Sequence, residues 1–527
     1  MLQPGQNRDQ LELTSLDLLV SPDSIVRVID AFVDMLNLEK LGIKQKGKSK
    51  EGRPAFSNDM LLKLYLYGYL NRVRSSRRLA REAKTNMEAI WLVRGMRPCY
   101  KTIADFRKEN GRGFRKVFRN LNKFLRQQGL LQGSRVAVDG SKFRAQNSKK
   151  NNYNEKKVKQ HLDYIEKQTK EYLSQMDKLD QEEAQSEQVD DKRIKVTEAL
   201  ERLKTRKTKY DDLSRQIEQA HDKGVTQVST IDPDARALPK RMNIVEVSYN
   251  NIITTDANDK LITNFEVTNE HDSYALAKAA RKAKVVLGKS STESITALAD
   301  RGFDTGHQLQ DCHTHNIDTL VALKKRVSPQ KSKAFNKEQF IYSATADTYS
   351  CPASKIMKTN GNWYKRGQGK LRRSYNVKRY TLPFHVCNGC PYKLDCAGQA
   401  NLKKSKGRYI ERSEYQGAID QNTKQVTARK AEFNQRQAIV EHPFGTIKRG
   451  WGYDYTLMRT IKKVEAEFSI IFTCYNLRRA VSLLGVKPLI EALKSAFIKI
   501  WELTCSWTDY NKESMQHILK HTSVSSS

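Results

Sequence analysis

The sequence has no long apolar run and no obvious export signal. No stretch of about 18 apolar residues occurs along the chain, which excludes a conventional membrane-spanning helix. The N-terminal segment MLQPGQNRDQLELTSL lacks the basic-then-apolar order of a signal peptide. We therefore expect an intracellular protein that has no membrane partner and works in a reducing compartment.

Acidic residues are too few to balance the basic ones. The chain has 94 Lys and Arg against 59 Asp and Glu, which gives a formal net charge of +35. Such an excess favours a polyanionic partner, because each phosphate that is neutralised releases condensed counterions. A protein that is basic only for solubility is the alternative, and the clustering of the basic residues argues against it.

Residues 1–130 are predicted to form an all-α DNA-binding domain. Residues 61–126 contain 18 Lys and Arg but 4 Asp and Glu. Short basic helices joined by tight turns suit insertion into a DNA groove, as in helix-turn-helix modules. The alternative is a helical bundle with a solvated basic face. The arginines that we expect to contact DNA in this domain are Arg72, Arg74, Arg77, Arg78 and Arg107.

Beyond residue 130, short β-rich and helical segments alternate, which predicts an α/β domain. We assign it residues 131–150, 225–330 and 411–500, interrupted by two insertions. The first insertion, 151–224, has no proline and no glycine before its last residue. Its apolar residues recur in steps of three and four, which predicts an antiparallel coiled-coil hairpin. One isolated charged helix is the alternative.

Three carboxylates are candidates for metal-dependent chemistry on phosphodiesters. Asp139 and Asp300 end the apolar segments VAVD and ITALAD, and a glycine follows each one closely. Residues just past neighbouring strand ends lie side by side in an open α/β sheet. Glu441, in IVEHPFGTIK, lies where a predicted helix ends and supplies a third carboxylate. Cleavage by two Mg²⁺ ions requires such oxygen ligands, although any one aspartate taken alone is as well explained as a turn-former.

The second insertion, residues 331–410, contains four cysteines set apart from the others. Cys387, Cys390 and Cys396 have the spacing C-x2-C-x5-C, and Cys351 lies upstream. In a reducing compartment this pattern predicts one structural Zn²⁺ held by four thiolates rather than disulfides. Free buried thiols are the alternative.

The same insertion is strongly basic and has aromatic residues among the charges. Between residues 351 and 380 there are nine Lys and Arg and no acidic residue. Basic side chains bind phosphates, while aromatic rings stack on unpaired or distorted bases. A solvated loop with core aromatics is the alternative. The basic residues that we expect to contact DNA here are Lys365, Arg366, Arg372 and Arg373.

Several motifs resemble those of the DDE transposases of bacterial insertion sequences, most of all the insertion-sequence-eleven-eighty-two group. The segment FSNDMLLKLYLYGYL and its continuation are similar to the InsH-type N-terminal domain. The segments VAVDGSKFRAQNSK and ALADRGFDTG resemble the family's two aspartate strands, and IVEHPFGTIKRGWG resembles its glutamate helix. The resemblance extends over most of the chain, from residue 56 to residue 479.

The resemblance implies a ribonuclease-H-like catalytic domain in which Asp139, Asp300 and Glu441 bind two Mg²⁺ or Mn²⁺ ions. It also implies that Lys448, seven positions after the glutamate, holds a phosphate beside the scissile bond. Arg436 lies five positions before the glutamate, where the wider family pattern has an arginine four positions before. The role of Arg436 as a DNA contact is therefore left open.

The resemblance further implies a transposase that binds the terminal inverted repeats of an insertion sequence and cleaves and transfers DNA strands. Its partners would be double-stranded DNA, at the transposon ends and at the target, and a second copy of the chain. We expect it in the cytoplasm of a bacterium, associated with the nucleoid, and we expect residues 501–527 to be a C-terminal tail. A catalytically silent DNA-binding protein or repressor derived from a transposase is the alternative, and a nuclease that cuts without joining is another.

Overall fold

The computed structural model describes residues 14–43, 55–181, 187–222, 225–240, 244–323, 333–367, 374–397 and 407–505, together with Gln399, Lys403 and Ser405. Among these residues, no helix combines the length and the apolar character needed to cross a membrane.

The N-terminal part is helical, as predicted. Nearly every side chain of α2 is buried, including Lys63, whose ammonium donates to Asp30 and Asp34 at 2.6 Å each. Pairing with two carboxylates is what makes a buried lysine tolerable. The helices of this part are α1 Ile25–Asp34, α2 Asn58–Leu70, α3 Ser76–Thr85, α4 Met87–Leu92, α5 Tyr100–Glu109 and α6 Gly111–Gln127.

A mixed six-stranded sheet forms the centre of the chain. The strands β5, β1, β7 and β8 are neighbours in that order, and both β4 and β6 pair with β5. The pairs β1–β5 and β5–β6 are antiparallel, whereas β1–β7 and β7–β8 are parallel. The strands are β1 Arg135–Arg144, β4 Arg236–Pro239, β5 Val245–Asp256, β6 Ile262–Thr268, β7 Ile295–Ala299 and β8 Ile317–Val321.

The prediction that Asp139 ends its strand is wrong. β1 continues to Arg144, and its second half pairs with residues 248–252 of β5. The neighbouring antiparallel strand supplies backbone partners to the polar segment GSKFR, which therefore stays extended despite its weak local β pattern. Asp300, in contrast, directly follows β7, as predicted.

Two helices pack on the sheet, α9 Leu276–Val286 mainly against β6, β5 and β1 and α10 Gly306–Thr314 against β8. Two longer helices form a hairpin between β1 and β5 in the chain. The hairpin helices are α7 Glu155–Gln181 and α8 Glu187–Asp222, with the short strands β2 Asn152–Tyr153 and β3 Val228–Ser229 paired at their base.

The hairpin helices run antiparallel. His161 of α7 stacks on Tyr210 of α8 with ring centroids 4.5 Å apart. Nearer the tip, the guanidinium of Arg206 lies over the ring of Tyr164. Buried apolar residues such as Ile165 and Leu203 fill the seam. Two charged helices thus bury their apolar stripes against each other, while the coiled-coil assignment stays a prediction.

The second insertion contains an antiparallel sheet that the sequence analysis did not predict. Its order is β13-β12-β11-β10-β9, and its core includes Met357, Tyr380 and Ile410. The strands are β9 Ile341–Ser343, β10 Thr348–Ser350, β11 Ile356–Arg366, β12 Tyr375–Thr381 and β13 Tyr409–Ser413, and two short helices, α11 Phe384–Asn388 and α12 Lys393–Cys396, lie between β12 and β13.

The C-terminal part is helical. The helix that carries Glu441 runs on through Pro443 to Phe444 and continues as a π-helical turn over Gly445–Gly450, instead of ending near Glu441 as expected. The helices are α13 Gln416–Ala428, α14 Lys430–Asn434, α15 Arg436–Phe444, α16 Ile461–Leu484 and α17 Val486–Cys505.

One hydrophobic core joins the N-terminal helices to the sheet. α16 lies between them and contacts α2, α6 and β6. Phe265 of β6 packs edge-to-face against Phe118 of α6 and Phe472 of α16. The helical region is therefore an integral layer of the protein, although its limits as a domain stay a prediction.

Candidate active site

Two aspartates lie side by side at the centre of the sheet. Val138 of β1 pairs in parallel register with Ala299 of β7, so the next residues, Asp139 and Asp300, are neighbours. Burial, and after it the negative charge of Asp300, raise the pKa of Asp139 to about 7. Two carboxylates that repel each other in a poorly solvated place are a suitable site for a cation.

Glu441 lies on the same face of the sheet as this pair. Side chains alternate along a strand, so Ala137 and Asp139 share one face, as do Leu298 and Asp300. Ala137 and Leu298 pack in one apolar cluster with Ile439 and Val440 of α15. The residue after Val440 is Glu441, so α15 brings the third candidate carboxylate to the face that holds the two aspartates.

The structure does not bring the three carboxylates into contact. Glu441 is exposed, and its carboxylate accepts a 2.7 Å hydrogen bond from Gln437 Nε2. In the part of the chain that the structure describes, no group of three or more His, Cys, Asp or Glu side chains is arranged to hold a metal ion. The three-ligand site predicted from Asp139, Asp300 and Glu441 is thus represented by a close pair and a third residue on the same face.

Two basic residues lie near the aspartate pair. Lys448 Nζ donates to the carbonyl oxygen of Lys142 at 2.7 Å and lies 4.2 Å from the centre of the Phe143 ring. Burial lowers the pKa of Lys448 to about 8, and the charge of Asp139 acts in the opposite direction. The positive charge of Arg436, at the start of α15, lowers the pKa of Asp139. Both residues therefore act electrostatically on the candidate site, as a phosphate-binding role requires.

A fourth carboxylate, Asp272, was missed by the sequence analysis. Its charge raises the pKa of Asp139, and its Oδ1 accepts a 2.6 Å hydrogen bond from Asn250. A Cβ at Gly140 would lie 2.1 Å from Asp272 Oδ1, so a side chain there would displace this carboxylate. Asn250 pairs with Lys142 and so lies on the face opposite to Asp139. Asp272 thus acts on Asp139 through its charge, from the segment after β6. In the sequence, the only indication of a role for Asp272 is that this carboxylate comes shortly after the strand β6.

Arg74 is not available to DNA, contrary to the prediction. It is 6% exposed and lies between the rings of Tyr453 and Tyr455, 4.3 and 4.5 Å from their centres. Its guanidinium donates to the Tyr455 carbonyl at 2.9 Å and to Glu467 at 3.3 Å. Arg107 is half-buried beside it and donates to the carbonyl of Arg74 at 3.4 Å. Arg74 therefore stabilises the core instead of presenting a charge at the surface.

The other arginines proposed for the N-terminal part are at the surface. Arg72, Arg77 and Arg78 are exposed, and the guanidinium of Arg77 lies over the ring of Tyr100. Ser75 occupies the N-cap position of α3, and its side chain makes no capping hydrogen bond. These arginines are placed where a DNA backbone has access to them.

The candidate residues of the basic insertion differ in their surroundings. Lys365 is exposed, whereas Arg366 forms an ion pair with Glu411. Arg372 and Arg373 lie outside the described residues. Arg366 lines a large cleft, with a volume of about 1190 Å³, between the second sheet and the start of α10.

The four cysteines of the insertion converge but do not form a recognisable metal site. Cys351, Cys387, Cys390 and Cys396 line one small apolar cavity. Burial raises the pKa of Cys396 to about 11, and the charges of the other three thiols add to the effect. These thiols are not arranged to hold a metal among the residues described, so the predicted zinc site is not shown by the geometry.

Two family models match the chain, and both describe transposases. The model described as "Transposase domain (DUF772)" matches residues 14–109, and that described as "Transposase DDE domain" matches residues 246–477. The chain therefore belongs to the DDE transposases of insertion sequences and has their typical N-terminal domain, as the motifs predicted.

No curated protein matches the chain. Among solved structures, the chain is similar to a cryo-EM structure of the piggyBac transposase synaptic complex with hairpin DNA. The identity is 8%, the TM-score is 0.30, and the match covers 95% of this chain and 82% of that chain. A likeness at this level does not support a residue-by-residue comparison.

Proposed function

We propose that this transposase binds the terminal inverted repeats of its insertion sequence and cleaves and joins DNA strands with divalent metal ions. The observation that carries the proposal is the pairing of Asp139 with Asp300 on neighbouring parallel strands, with the Glu441 helix packed on the same face. The order β6-β5-β1-β7-β8, antiparallel in one half and parallel in the other, supports a ribonuclease-H-like catalytic domain.

The carboxylates fit Mg²⁺ or Mn²⁺. These are hard cations that prefer carboxylate oxygens, and the repulsion between Asp139 and Asp300 is relieved by a positive charge placed between them. Glu441 is the proposed third ligand. Two such ions, when bound, supply Lewis-acid stabilisation of the attacking and leaving oxygens.

Lys448 is the proposed phosphate-binding residue beside the scissile bond. Its hydrogen bond to the Lys142 carbonyl holds the ammonium against β1, the strand that carries Asp139. Positioning and charge stabilisation are what phosphoryl transfer requires of a protein. Arg436, whose charge also acts on Asp139, is proposed as a second DNA contact.

The proposed partner is double-stranded DNA, and the proposed working form is a homodimer, because two transposon ends must be brought together. Arg72, Arg77 and Arg78 are placed to contact the backbone of the DNA ends. Lys365 and Arg366, together with the neighbouring arginines at 372 and 373, are proposed to contact DNA from the second sheet. The hairpin of α7 and α8 is proposed to make protein–protein or end-bridging contacts. Normal paired-end complexes after deletion of residues 155–220 would refute that role.

The four cysteines of the insertion are proposed to bind one structural Zn²⁺. Their convergence on one cavity supports the proposal, since thiolates are the ligands that zinc prefers in structural sites. We expect elemental analysis of the purified protein to find about one zinc per chain, as for a four-thiolate site, and replacement of Cys387 and Cys390 by serine to remove it. Metal-free wild-type protein that folds normally would contradict the proposal.

The test of the function is cleavage and strand transfer on a labelled DNA fragment that carries the element's own end, with Mg²⁺ or Mn²⁺. We expect Asp139→Ala, Asp300→Ala and Glu441→Ala each to abolish cutting, while a gel shift finds DNA binding unchanged. If the wild-type protein binds tightly and never cuts, the chain is instead a catalytically silent DNA-binding protein. Cutting without joining would indicate a nuclease.

A further inference from the structure

A groove beside the Glu441 helix is lined by arginines. It lies between α16 on one side and α15 with its π-helical turn on the other, and its volume is about 300 Å³. Arg478 and Arg479 come from α16, and Arg72 closes the groove from the loop before α3. No aspartate or glutamate is among the described residues that line it.

Each helix lines the groove with one stripe of side chains. On α15 and the π-helical turn, His442 and Thr446 are four residues apart, and on α16, Tyr475 and Arg479 are four apart. Residues with this spacing share one face of a helix. His442 Nδ1 lies 2.7 Å from the Tyr475 hydroxyl, which joins the two stripes across the floor of the groove. His442 follows Glu441 directly in α15, and consecutive helical residues are turned by about 100°. The groove therefore lies along the helix that carries Glu441, but on another flank of it.

One arginine of the groove is fixed by a backbone carbonyl, and the other two are open to solvent. Arg479 Nε donates to the carbonyl of Asp259 at 2.8 Å, which fixes the direction of its guanidinium. Arg478 and Arg72 are exposed. Arg72 adopts a φ of 63°, a conformation that non-glycine residues rarely take and that is often kept at functional positions. A site of this kind selects an anion with several acceptor oxygens, because arginine donates in a planar fork.

We propose that this groove binds a backbone phosphate of the substrate DNA where a strand runs along α15, the helix that carries Glu441. The inference rests on the proposed function. The volume admits a phosphate with its sugar but not a base pair, so the groove holds the strand without reading its sequence. Its place on the helix that carries Glu441 favours a strand of the substrate over a free anion.

The first arm of the test uses inorganic phosphate and no DNA or metal. At constant ionic strength, phosphate should raise the melting temperature of the wild-type protein. Arg478→Gln and Arg72→Gln should each weaken the apparent phosphate affinity roughly tenfold, the effect of removing one charge-assisted hydrogen bond. Arg478→Lys should retain part of the phosphate affinity, because lysine keeps the positive charge. Arg119→Gln, at an exposed arginine of α6 away from the groove, is the matched control and should leave the affinity unchanged.

The second arm uses DNA that carries the transposon end. The logarithm of the DNA association constant falls as the logarithm of the salt concentration rises. This slope should be less steep by about 0.9 in Arg478→Gln, because the variant neutralises one phosphate fewer than the wild type. Equal phosphate affinity in the wild type, Arg478→Gln and Arg72→Gln would overturn the inference. If the variants lose phosphate binding but their DNA binding keeps the salt dependence of the wild type, the groove does not bind a DNA phosphate. A wild-type protein that never cuts DNA would contradict the proposed function but not the phosphate site, since the phosphate-binding experiment does not depend on cutting.

Discussion

At the scale of single residues, chemistry-bearing side chains could be predicted where a local pattern marks them. Asp300 follows five buried residues of β7, and this apolar run located it from the sequence alone. The pairing of Asp139 with Asp300 depends on a register between strands far apart in sequence, and only the structure supplies it. Asp272 has no such mark, because its charge acts on Asp139 only once the fold has brought the segment after β6 close to β1.

Arg74 illustrates the opposite error at the same scale. A cluster of arginines predicts a basic surface, yet one of them is buried against Glu467, whose pKa is raised by burial and lowered again by the charge of Arg74. Which arginine of a cluster turns inwards depends on a partner 393 residues away. The local sequence does not contain that information.

This buried ion pair leads to a prediction about stability. We expect Arg74→Gln to lower the free energy of unfolding by about 3–5 kcal/mol, because it leaves the carboxylate of Glu467 buried without its cation. Urea denaturation measures the change. Arg77→Gln, at an exposed arginine of the same cluster, should change stability by at most about 0.5 kcal/mol. The double variant Arg74→Gln/Glu467→Gln should recover part of the loss, and equal effects of Arg74→Gln and Arg77→Gln would contradict the assignment.

At the scale of elements, strongly periodic segments were predicted well and weakly patterned ones were not. The helices α1, α2 and α16 and the hairpin of β5 and β6 follow from apolar spacing and turn residues. The second sheet escaped prediction because β11 alternates poorly and is largely exposed, so that its basic and aromatic residues resemble a loop. Pairing with β12 and β10 holds it in place, and such pairing is not a local property of the sequence.

The second sheet contains a carboxylate that should make its stability depend on pH. Asp347, in the turn between β9 and β10, accepts hydrogen bonds from Tyr380 and Tyr342 and pairs with Lys378 at 3.0 Å. The Tyr380 hydroxyl and then Lys378 lower the pKa of Asp347 to about 2. A lowered folded-state pKa contributes stability above the unfolded-state value, near 3.9, which is lost as the pH falls through the folded-state value.

We therefore expect Asp347→Asn to be less stable than the wild type at pH 6 and the difference to shrink as the pH falls from about 4 towards 2. Thermal unfolding of both proteins between these pH values measures it. Asp212→Asn is a suitable control, since Asp212 is an exposed carboxylate on the hairpin that pairs with Arg215. A difference between Asp347→Asn and the wild type that stays constant across the range would contradict the role of this carboxylate.

At the scale of the whole molecule, the N-terminal helices and the sheet share one hydrophobic core. The amide of Asn476 in α16 donates to Asn122 Oδ1 of α6 at 2.7 Å, and both residues bond the backbone of Ile262 in β6. An apolar helix face does not reveal in the sequence which surface covers it, so the division of the chain into domains stays a prediction. In the structure, α16 and α6 both pack against β6 and share one apolar core with the sheet.

This continuity predicts the outcome of a truncation. A chain that starts at residue 131 lacks the helices α1 to α6, which cover α16 and β6. It therefore exposes Phe265, Phe472 and Asn476, which are buried in the full chain. Exposed apolar surface of this size favours aggregation or a loosely packed state. We expect the fragment 131–527 to bind a hydrophobic dye and to unfold without a sharp transition, whereas the full chain unfolds cooperatively. If the fragment unfolded as sharply as the full chain and cut DNA, the N-terminal helices would be a separable domain after all. Residues of α6 and of the sheet that carries Asp139 pack in one hydrophobic core. Substitutions in the buried face of α6 should therefore lower DNA cleavage even where they leave every exposed arginine intact.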